Sequence, residues 1–316
     1  MTRLVGAVDI GASKTLVAVR ALPIAEWPVG VKVVRFATPR SPSECTDRIS
    51  EALTALANDA SGELVAVGCG TPGPLNRDLG LVLHSPNQGW HDVSIGPRIA
   101  EMLEVPVLID DDGRAGALGE ARLGAAAGAD PMVYITVGTG IGSGVVVGGH
   151  LVHGSHGVAG EVGHLVVHPR GPRCSCGNRG CVEVYAGGDG LERRALATWR
   201  GTRRPDGIPA PRTATEVFAA ARHGDPRARR LVGEAVHALA FAIAAVSATI
   251  DPMVIVIGGS LGLAQRGVVN RAVRAARLLC INEGGVGPRA VPASLGGESV
   301  LAGAALLGQD AAGTLR

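Results

Sequence analysis

His164 is followed closely in the chain by Cys174, Cys176 and Cys181. One imidazole and three thiols at this spacing make a tetrahedral four-ligand set, and a set with no open position is that of structural rather than catalytic zinc. Glu161 and Glu183 flank it. Zn2+ here would fix both carboxylates on an otherwise irregular loop, residues 160–185, where they suit the hydroxyls of a small polar ligand. The competing reading is an extracellular disulfide loop. Against it, Cys174-Ser175-Cys176 is too tight for an unstrained bridge, and Cys45, Cys69 and Cys280 are scattered as reduced packing thiols are.

Two glycine-bearing turns could handle phosphate. Asp9-Ile10-Gly11-Ala12-Ser13-Lys14 sets a carboxylate at a strand end beside backbone N–H groups, with Ser13 and Lys14 at hand. Such a nest can hold phosphate oxygens while Asp9 reaches a hydrated magnesium ion. A plain hairpin turn explains the same residues, but a second turn repeats the pattern at Gly138-Thr139-Gly140-Ile141-Gly142. That turn is no dinucleotide fingerprint, because strand-like Val145-Val146-Val147 follows it where a helix is required. Gly258 and Gly259, after the buried run Val254 to Ile257, would let an adenine ring lie against the backbone, although core packing accounts for them equally.

Asp110, Asp111 and Asp112 close a strand-like segment. Asp112 is the natural general base: it could take the proton of a sugar hydroxyl as the oxygen attacks the γ-phosphorus of ATP, with Mg2+ and backbone amides carrying the transferred charge. Capping of the next helix needs only one of the three carboxylates.

The elements that must position these residues read as follows. Leu4–Ile10 and Thr15–Arg20 form a hairpin, Val29–Ala37 a third strand, and residues 43–60 a helix. Strands at 64–69 and 105–109 and a helix over 113–127 follow. The pattern then restarts at Met132–Val137 and 145–147, and a repeated hairpin unit implies two related lobes with a cleft between them. Helices over 191–199 and 225–250, a strand over 253–257 and an apolar helix over 299–308 complete the chain. The boundaries expected are 1–112 plus 299–316 for an N-terminal lobe and 113–298 for a C-terminal lobe carrying the zinc loop.

A chain of 316 residues exceeds one typical core, and a net charge of +2 gives no ground for a nucleic-acid or membrane partner. No apolar run of membrane-spanning length is free of polar residues, and Met1-Thr2-Arg3 leads into a strand rather than a signal peptide, so a cytoplasmic protein is expected. The 47 glycines fit an α/β protein with many tight turns and close backbone approaches.

Assembled, these residues resemble the ROK family of sugar kinases and repressors, within the actin and hexokinase-like ATPases. The resemblance runs over nearly the whole chain. It rests on Asp9-Ile10-Gly11 with Lys14, Gly73 in Thr71-Pro72-Gly73-Pro74, Ser85-Pro86-Asn87 before Trp90, and the aspartate ahead of Gly119-Glu120. It continues through Gly138-Thr139-Gly140, Gly160-Glu161-Val162-Gly163-His164, the cysteine motif ending on Glu183, and Ile257-Gly258-Gly259. The resemblance implies an α/β, two-lobed fold of duplicated ribonuclease H-like lobes with a structural zinc loop. It implies Asp112 as catalytic base and Gly73, Asn87, Asp111, Glu161, His164 and Glu183 at the sugar. It places ATP on Asp9, Gly11, Ser13, Lys14, Gly138, Thr139, Gly140, Gly258 and Gly259.

Two departures bear on the sugar. The family usually has Asn before the catalytic Asp, its amide on the C3 and C4 hydroxyls, whereas Asp111 stands here, and Arg114 stands where a small polar residue is common. A carboxylate suits an ammonium at C3, so the sharpest expectation is a 6-kinase for an amino sugar such as kanosamine. Glucokinase and N-acetylmannosamine kinase are the alternatives. A sugar-sensing repressor would need a winged helix ahead of the first hairpin, and only two residues precede Arg3, so no DNA-binding domain is expected. The partners expected are a sugar, ATP and, in a homodimer, a second copy of the chain.

Overall fold

The structure is a computed structural model, describing residues 1–27, 31–85, 88–200, 209–280 and 288–313. Thirteen strands and ten α-helices follow one another among the described residues. The chain opens with β1 (Thr2–Ile10), β2 (Lys14–Ala21) and β3 (Val34–Ala37), then α1 (Pro42–Asp59) and β4 (Gly62–Thr71). Next come β5 (Leu75–Asn76), β6 (Leu81–Ser85), β7 (Trp90–Val93), α2 (Ile95–Leu103), β8 (Val107–Asp111) and α3 (Asp112–Leu123). β9 (Met132–Val137), β10 (Ile141–Val147) and β11 (His150–Leu151) lead into the loop that carries the cysteines. Then follow α4 (Val182–Ala186), α5 (Gly188–Thr198), α6 (Ala214–Arg222) and α7 (Pro226–Ile250). The last elements are β12 (Val254–Gly258), α8 (Ser260–Ala264), α9 (Arg266–Arg277), β13 (Ala290–Pro292) and α10 (Ser299–Gly313).

Two five-stranded sheets have the orders β3-β2-β1-β4-β8 and β11-β10-β9-β12-β13, and β5-β6-β7 form a small third sheet. In each large sheet an antiparallel pair stands at one side, and the later strands join on the other: β1 pairs β4 in parallel, as β12 pairs β13. The repeated hairpin of the sequence thus corresponds to a repeated sheet order. Backbone contacts divide the chain into two compact units, Met1–Tyr134 with Ser143–Gly160 and Ala293–Arg316, and Ile135–Gly142 with Glu161–Pro292.

In the first unit α10 is buried on most of its faces and packs on α3, β1 and β4. Leu301, Ala304, Ala305 and Leu307 fill one core with Val5, Ala7 and Ala66, while α1 and α2 cover the other face of the sheet through Ile49, Leu53, Ile95 and Ile99. Glu120 of α3 is fully buried and accepts from Ser299 Oγ at 2.7 Å, from Ala125 N at 2.7 Å and from Leu295 N at 3.1 Å. A buried carboxylate is stable only when saturated with donors in this way. It also stops α3 at Leu123, short of the 127 expected, because its carboxylate captures the chain leaving Gly124.

The third strand is shorter than expected as well. β3 pairs with β2 only from Val34 to Ala37, Val31 to Val33 lie outside any strand, and Val29 is outside the described residues. In the second unit α7 is the core helix, with Asp225 Oδ1 accepting from Arg227 N at 2.9 Å and Ala228 N at 3.1 Å at its start. Its length and mean hydropathy of 1.8 would allow it to cross a membrane, but 61% of that stretch is buried against the rest of the chain.

Candidate active site and metal centre

Two bridges shape the cysteine loop. Arg173 pairs antiparallel with Arg179, and Cys174 N donates to Asn178 O at 2.8 Å, which folds Cys174 and Cys176 into one tight hairpin. Val166 pairs with Cys181, and Val182 N donates to Leu165 O at 2.9 Å, which brings Cys181 beside His164. His164 ends a single 3₁₀ turn, Val162–His164, that follows Glu161.

The four ligand atoms lie within 4.8 Å of one another. Zinc–sulfur bonds of about 2.3 Å at tetrahedral angles would set two sulfurs roughly 3.8 Å apart. Cys176 Sγ and Cys181 Sγ are 3.7 Å apart, and Cys174 Sγ lies 3.6 Å from His164 Nδ1. That spacing fits a metal, and it is too long for a disulfide; all three cysteines are free thiols. Burial and the neighbouring sulfurs push the Cys181 thiol well above its ordinary range, and burial raises Cys174. A divalent cation would remove that cost by accepting the thiolates. With Nδ1 turned to the sulfurs, the Nε2 edge of His164 points away from them.

Glu183 lies in the first turn of α4, just after Cys181. Its Oε2 accepts from Ile141 N at 3.0 Å, so the cysteine loop and the glycine turn are tied by one carboxylate. The turn is held from its other side too: Gly188 N donates to Gly138 O at 2.9 Å and Asp189 N to Thr139 O at 3.0 Å. Gly259 follows β12 with φ +80, and a Cβ there would meet Val137 O at 2.4 Å. Only glycine allows that approach of the β12 end to the strand leading into the turn.

In the first unit, Gly11 N donates to Lys14 O at 2.9 Å, which closes the hairpin turn between β1 and β2. Thr38 Oγ1 donates to Gly11 O at 2.8 Å and Gln88 Nε2 to the same oxygen at 3.3 Å. Ser13 and Lys14 are exposed at the rim. Asp9, next to last in β1, has its carboxyl pushed up to about 7, by burial first and then by the charge of Asp112, with Lys14 acting the other way. These two carboxylates are thus close enough to feel each other, an arrangement that favours a bound cation. Gly73 has φ +105 and sits where a Cβ would meet His84 O at 2.1 Å, so no side chain is tolerated in that turn. Asn87 lies outside the described residues.

The three aspartates divide their work. Asp111 is the N-cap of α3, its Oδ1 accepting from Gly113 N at 2.9 Å and Arg114 N at 3.3 Å. Asp112 is the first residue of the helix and is half-buried. Asp110 is fully buried and was not singled out by its spacing. Its Oδ1 accepts from Arg114 Nε at 2.6 Å, and its Oδ2 lies 2.7 Å from His153 Nε2 and 3.1 Å from Arg77 Nε. Burial alone would raise its pKa, but His153, Arg114 and Arg77 together hold it below the usual carboxylate range. Arg114, buried with it, donates from Nη1 to Gly157 O at 3.0 Å.

Comparison with known proteins places these features in a family. A model of the ROK family matches residues 5–311. The chain is 38% identical to a glucokinase of Halalkalibacterium halodurans over 65% of its own length and 64% of that protein's. The crystal structure of a ROK hexokinase from Thermus thermophilus superposes with a TM-score of 0.82 at 34% identity, over 97% of this chain and 98% of that one. A ROK family glucokinase from Streptomyces griseus, in complex with glucose and AMPPNP, gives a TM-score of 0.80 at 30% identity over 97% of this chain and 99% of that one. With its sheet order, paired carboxylates and Cys/His cluster, the chain belongs to the ROK family.

Proposed function

We propose that the protein is an ATP-dependent sugar kinase that phosphorylates the 6-hydroxyl of a glucose-shaped hexose. The observation that carries this reading is that β1, β4 and β8 are neighbouring parallel strands with Asp9 level with Gly70 and Asp111 level with Thr71, so that Asp9 and Asp112, which opens α3, stand at the same edge of one sheet. Asp112 takes the proton of the 6-hydroxyl while the oxygen forms its bond to the γ-phosphorus; the bond from that phosphorus to the β,γ-bridging oxygen breaks, and ADP leaves. Mg2+, when bound, would be held on the side of Asp9 and would neutralise phosphate charge. Gly11, Ser13, Lys14, Gly138, Thr139, Gly140, Gly258 and Gly259 hold the nucleotide in this reading. Gly73, Asn87, Asp111, Glu161, His164 and Glu183 hold the sugar. His164, Cys174, Cys176 and Cys181 would hold Zn2+, which would keep Glu161 and Glu183 in place, and the free thiols fit a cytoplasmic enzyme.

The favoured acceptor within this class is an amino sugar with its ammonium at C3, kanosamine, and glucose is the alternative. Asp111 supports it: a buried carboxylate beside Asp112 is unfavourable for a neutral sugar and favourable for a cationic one.

The deciding experiment is the Asp112→Asn variant assayed for ADP release with glucose and kanosamine, alongside calorimetric sugar binding. Turnover should fall by about 10² to 10⁴, with sugar affinity largely kept. Wild-type turnover in that variant would reject Asp112 as base.

A further inference from the structure

The carbonyl oxygen of Gly11, in the turn between β1 and β2, accepts two hydrogen bonds, one for each of its lone pairs. Thr38 Oγ1 donates at 2.8 Å from just past β3, and Gln88 Nε2 donates at 3.3 Å from the turn between β6 and β7, 77 residues further along the chain. Thr38 grips the same turn a second time, its N–H donating to Ser13 O at 3.2 Å. Neither Gln88 nor Thr38 belongs to the residues assigned above to sugar, nucleotide or metal.

Gln88 is built into this place. It is buried, and its Oε1 accepts from the hydroxyl of Ser85, which is buried with it. The two bonds settle which way the amide faces: a backbone carbonyl can only accept, so the NH2 group must meet Gly11 and the oxygen must meet Ser85. A carboxylate in the same position would set oxygen against oxygen. The strand end that carries Ser85 lies in turn against the Gly73 turn, where a Cβ would meet His84 O at 2.1 Å and Ser85 Cα at 3.6 Å. Gln88 therefore joins the segment packed on the Gly73 turn to the turn that carries Ser13 and Lys14.

We propose that Gln88 is a positioning residue for the bound nucleotide, acting through the peptide between Gly11 and Ala12. In the kinase reading, on which this rests, the nest around Gly11, Ser13 and Lys14 takes phosphate oxygens. A nest binds an anion only while its N–H groups converge. In a planar trans peptide the carbonyl of one residue and the N–H of the next point opposite ways, so donors that pin Gly11 O also pin the Ala12 N–H. Glycine is required at position 11, because a Cβ there would meet Lys14 O at 2.8 Å. The same residue makes the peptide easy to rotate, since glycine offers little steric resistance to a flip. Such a flip would withdraw the Ala12 N–H and turn the carbonyl oxygen toward the phosphates. Gln88 and Thr38 oppose it from two separate segments of the chain.

The test combines calorimetric titration of the full chain with AMPPNP and steady-state kinetics with the better of glucose and kanosamine. Q88M keeps the side-chain length and loses the donor. Its AMPPNP affinity should fall about three- to tenfold, the worth of one neutral hydrogen bond. KM for ATP should rise alike, while kcat and KM for the sugar stay within about twofold; a merely structural role would move all of them together. Q88E keeps the shape and the bond from Ser85 but faces Gly11 with an oxygen. It should lose more than Q88M even in high salt, where a bare charge effect is screened, and it takes the place of Q88M if that variant melts early. Q88M/T38V should depart from the product of the two single losses, because both donors act on one oxygen. Unchanged AMPPNP affinity in Q88M and Q88E, equal losses for sugar and nucleotide, or a strictly multiplicative double variant would each overturn the role of Gln88 and leave the kinase reading intact. A wild type that binds no AMPPNP would overturn both.

Discussion

Asp110 Oδ1 accepts the Nε proton of Arg114 at 2.6 Å, and both side chains are buried at the point where β8 becomes α3. The pair anchors the strand end on which Asp111 and Asp112 stand. Breaking a buried ion pair from one side leaves an uncompensated charge, which costs about 3–5 kcal/mol. Asp110→Asn should therefore lower unfolding free energy by that order in urea titrations at pH 7. The depressed folded-state pKa of Asp110 contributes stability that is present above its unfolded value of 3.8 and lost as pH falls through the folded one. The wild-type advantage should accordingly shrink in acid, and a difference that stays constant down to pH 2 would refute the assignment.

Asp9 has the opposite sign. Its carboxyl, pushed up to about 7, binds its proton more tightly folded than unfolded, so stability of the metal-free protein declines as pH rises from 3.8 towards 7. Asp9→Asn removes that penalty. The variant should melt above the wild type at pH 8 and level with it near pH 4, and Mg2+ with ATP should stabilise the wild type more than the variant. Melting curves with and without nucleotide decide it; a pH-independent gap would show that Asp9 is not the group responsible.

Cys176→Ser should lose metal and stability together, because a structural site that forms only in the folded chain adds its binding energy to folding. Elemental analysis should find one zinc per wild-type chain and substantially less in the variant, with an earlier melt. Native protein without zinc would contradict the metal assignment.

The Cys/His cluster was legible in the sequence because its four residues are close along the chain and each residue type has one dominant chemistry. Much of the scaffold was legible for a similar reason: β1, β2, β9 and α7 carry long, consistent patterns. Asp110 was not, since its partners His153 and Arg77 arrive from distant segments and nothing local distinguishes it from Asp111 and Asp112. Glu120 hid in the same way, its donors Ser294, Leu295 and Ser299 lying at the other end of the chain. The β5-β6-β7 sheet and α2 escaped notice because strands of two to five residues show too little alternation, and Gly96 and Pro97 make the start of α2 read as a turn.

Asp111 offers the sharpest test of substrate. Its Oδ1 is committed to the N-cap of α3, and Asn caps a helix about as well as Asp. Asp111→Asn thus keeps the fold and the cap while exchanging a carboxylate for an amide, so any change in substrate preference reports charge rather than collapse of the helix start. For an ammonium at C3 the exchange gives up a charge-assisted hydrogen bond, roughly twice the strength of a neutral one. For a C3 hydroxyl it removes like-charge repulsion next to Asp112 and restores a donor. The ratio of kcat/KM for kanosamine over glucose should exceed one in the wild type and fall by about tenfold in the variant, with melting temperature unchanged. If glucose is already the better substrate of the wild type, the carboxylate serves the cap alone, and the enzyme is a glucokinase.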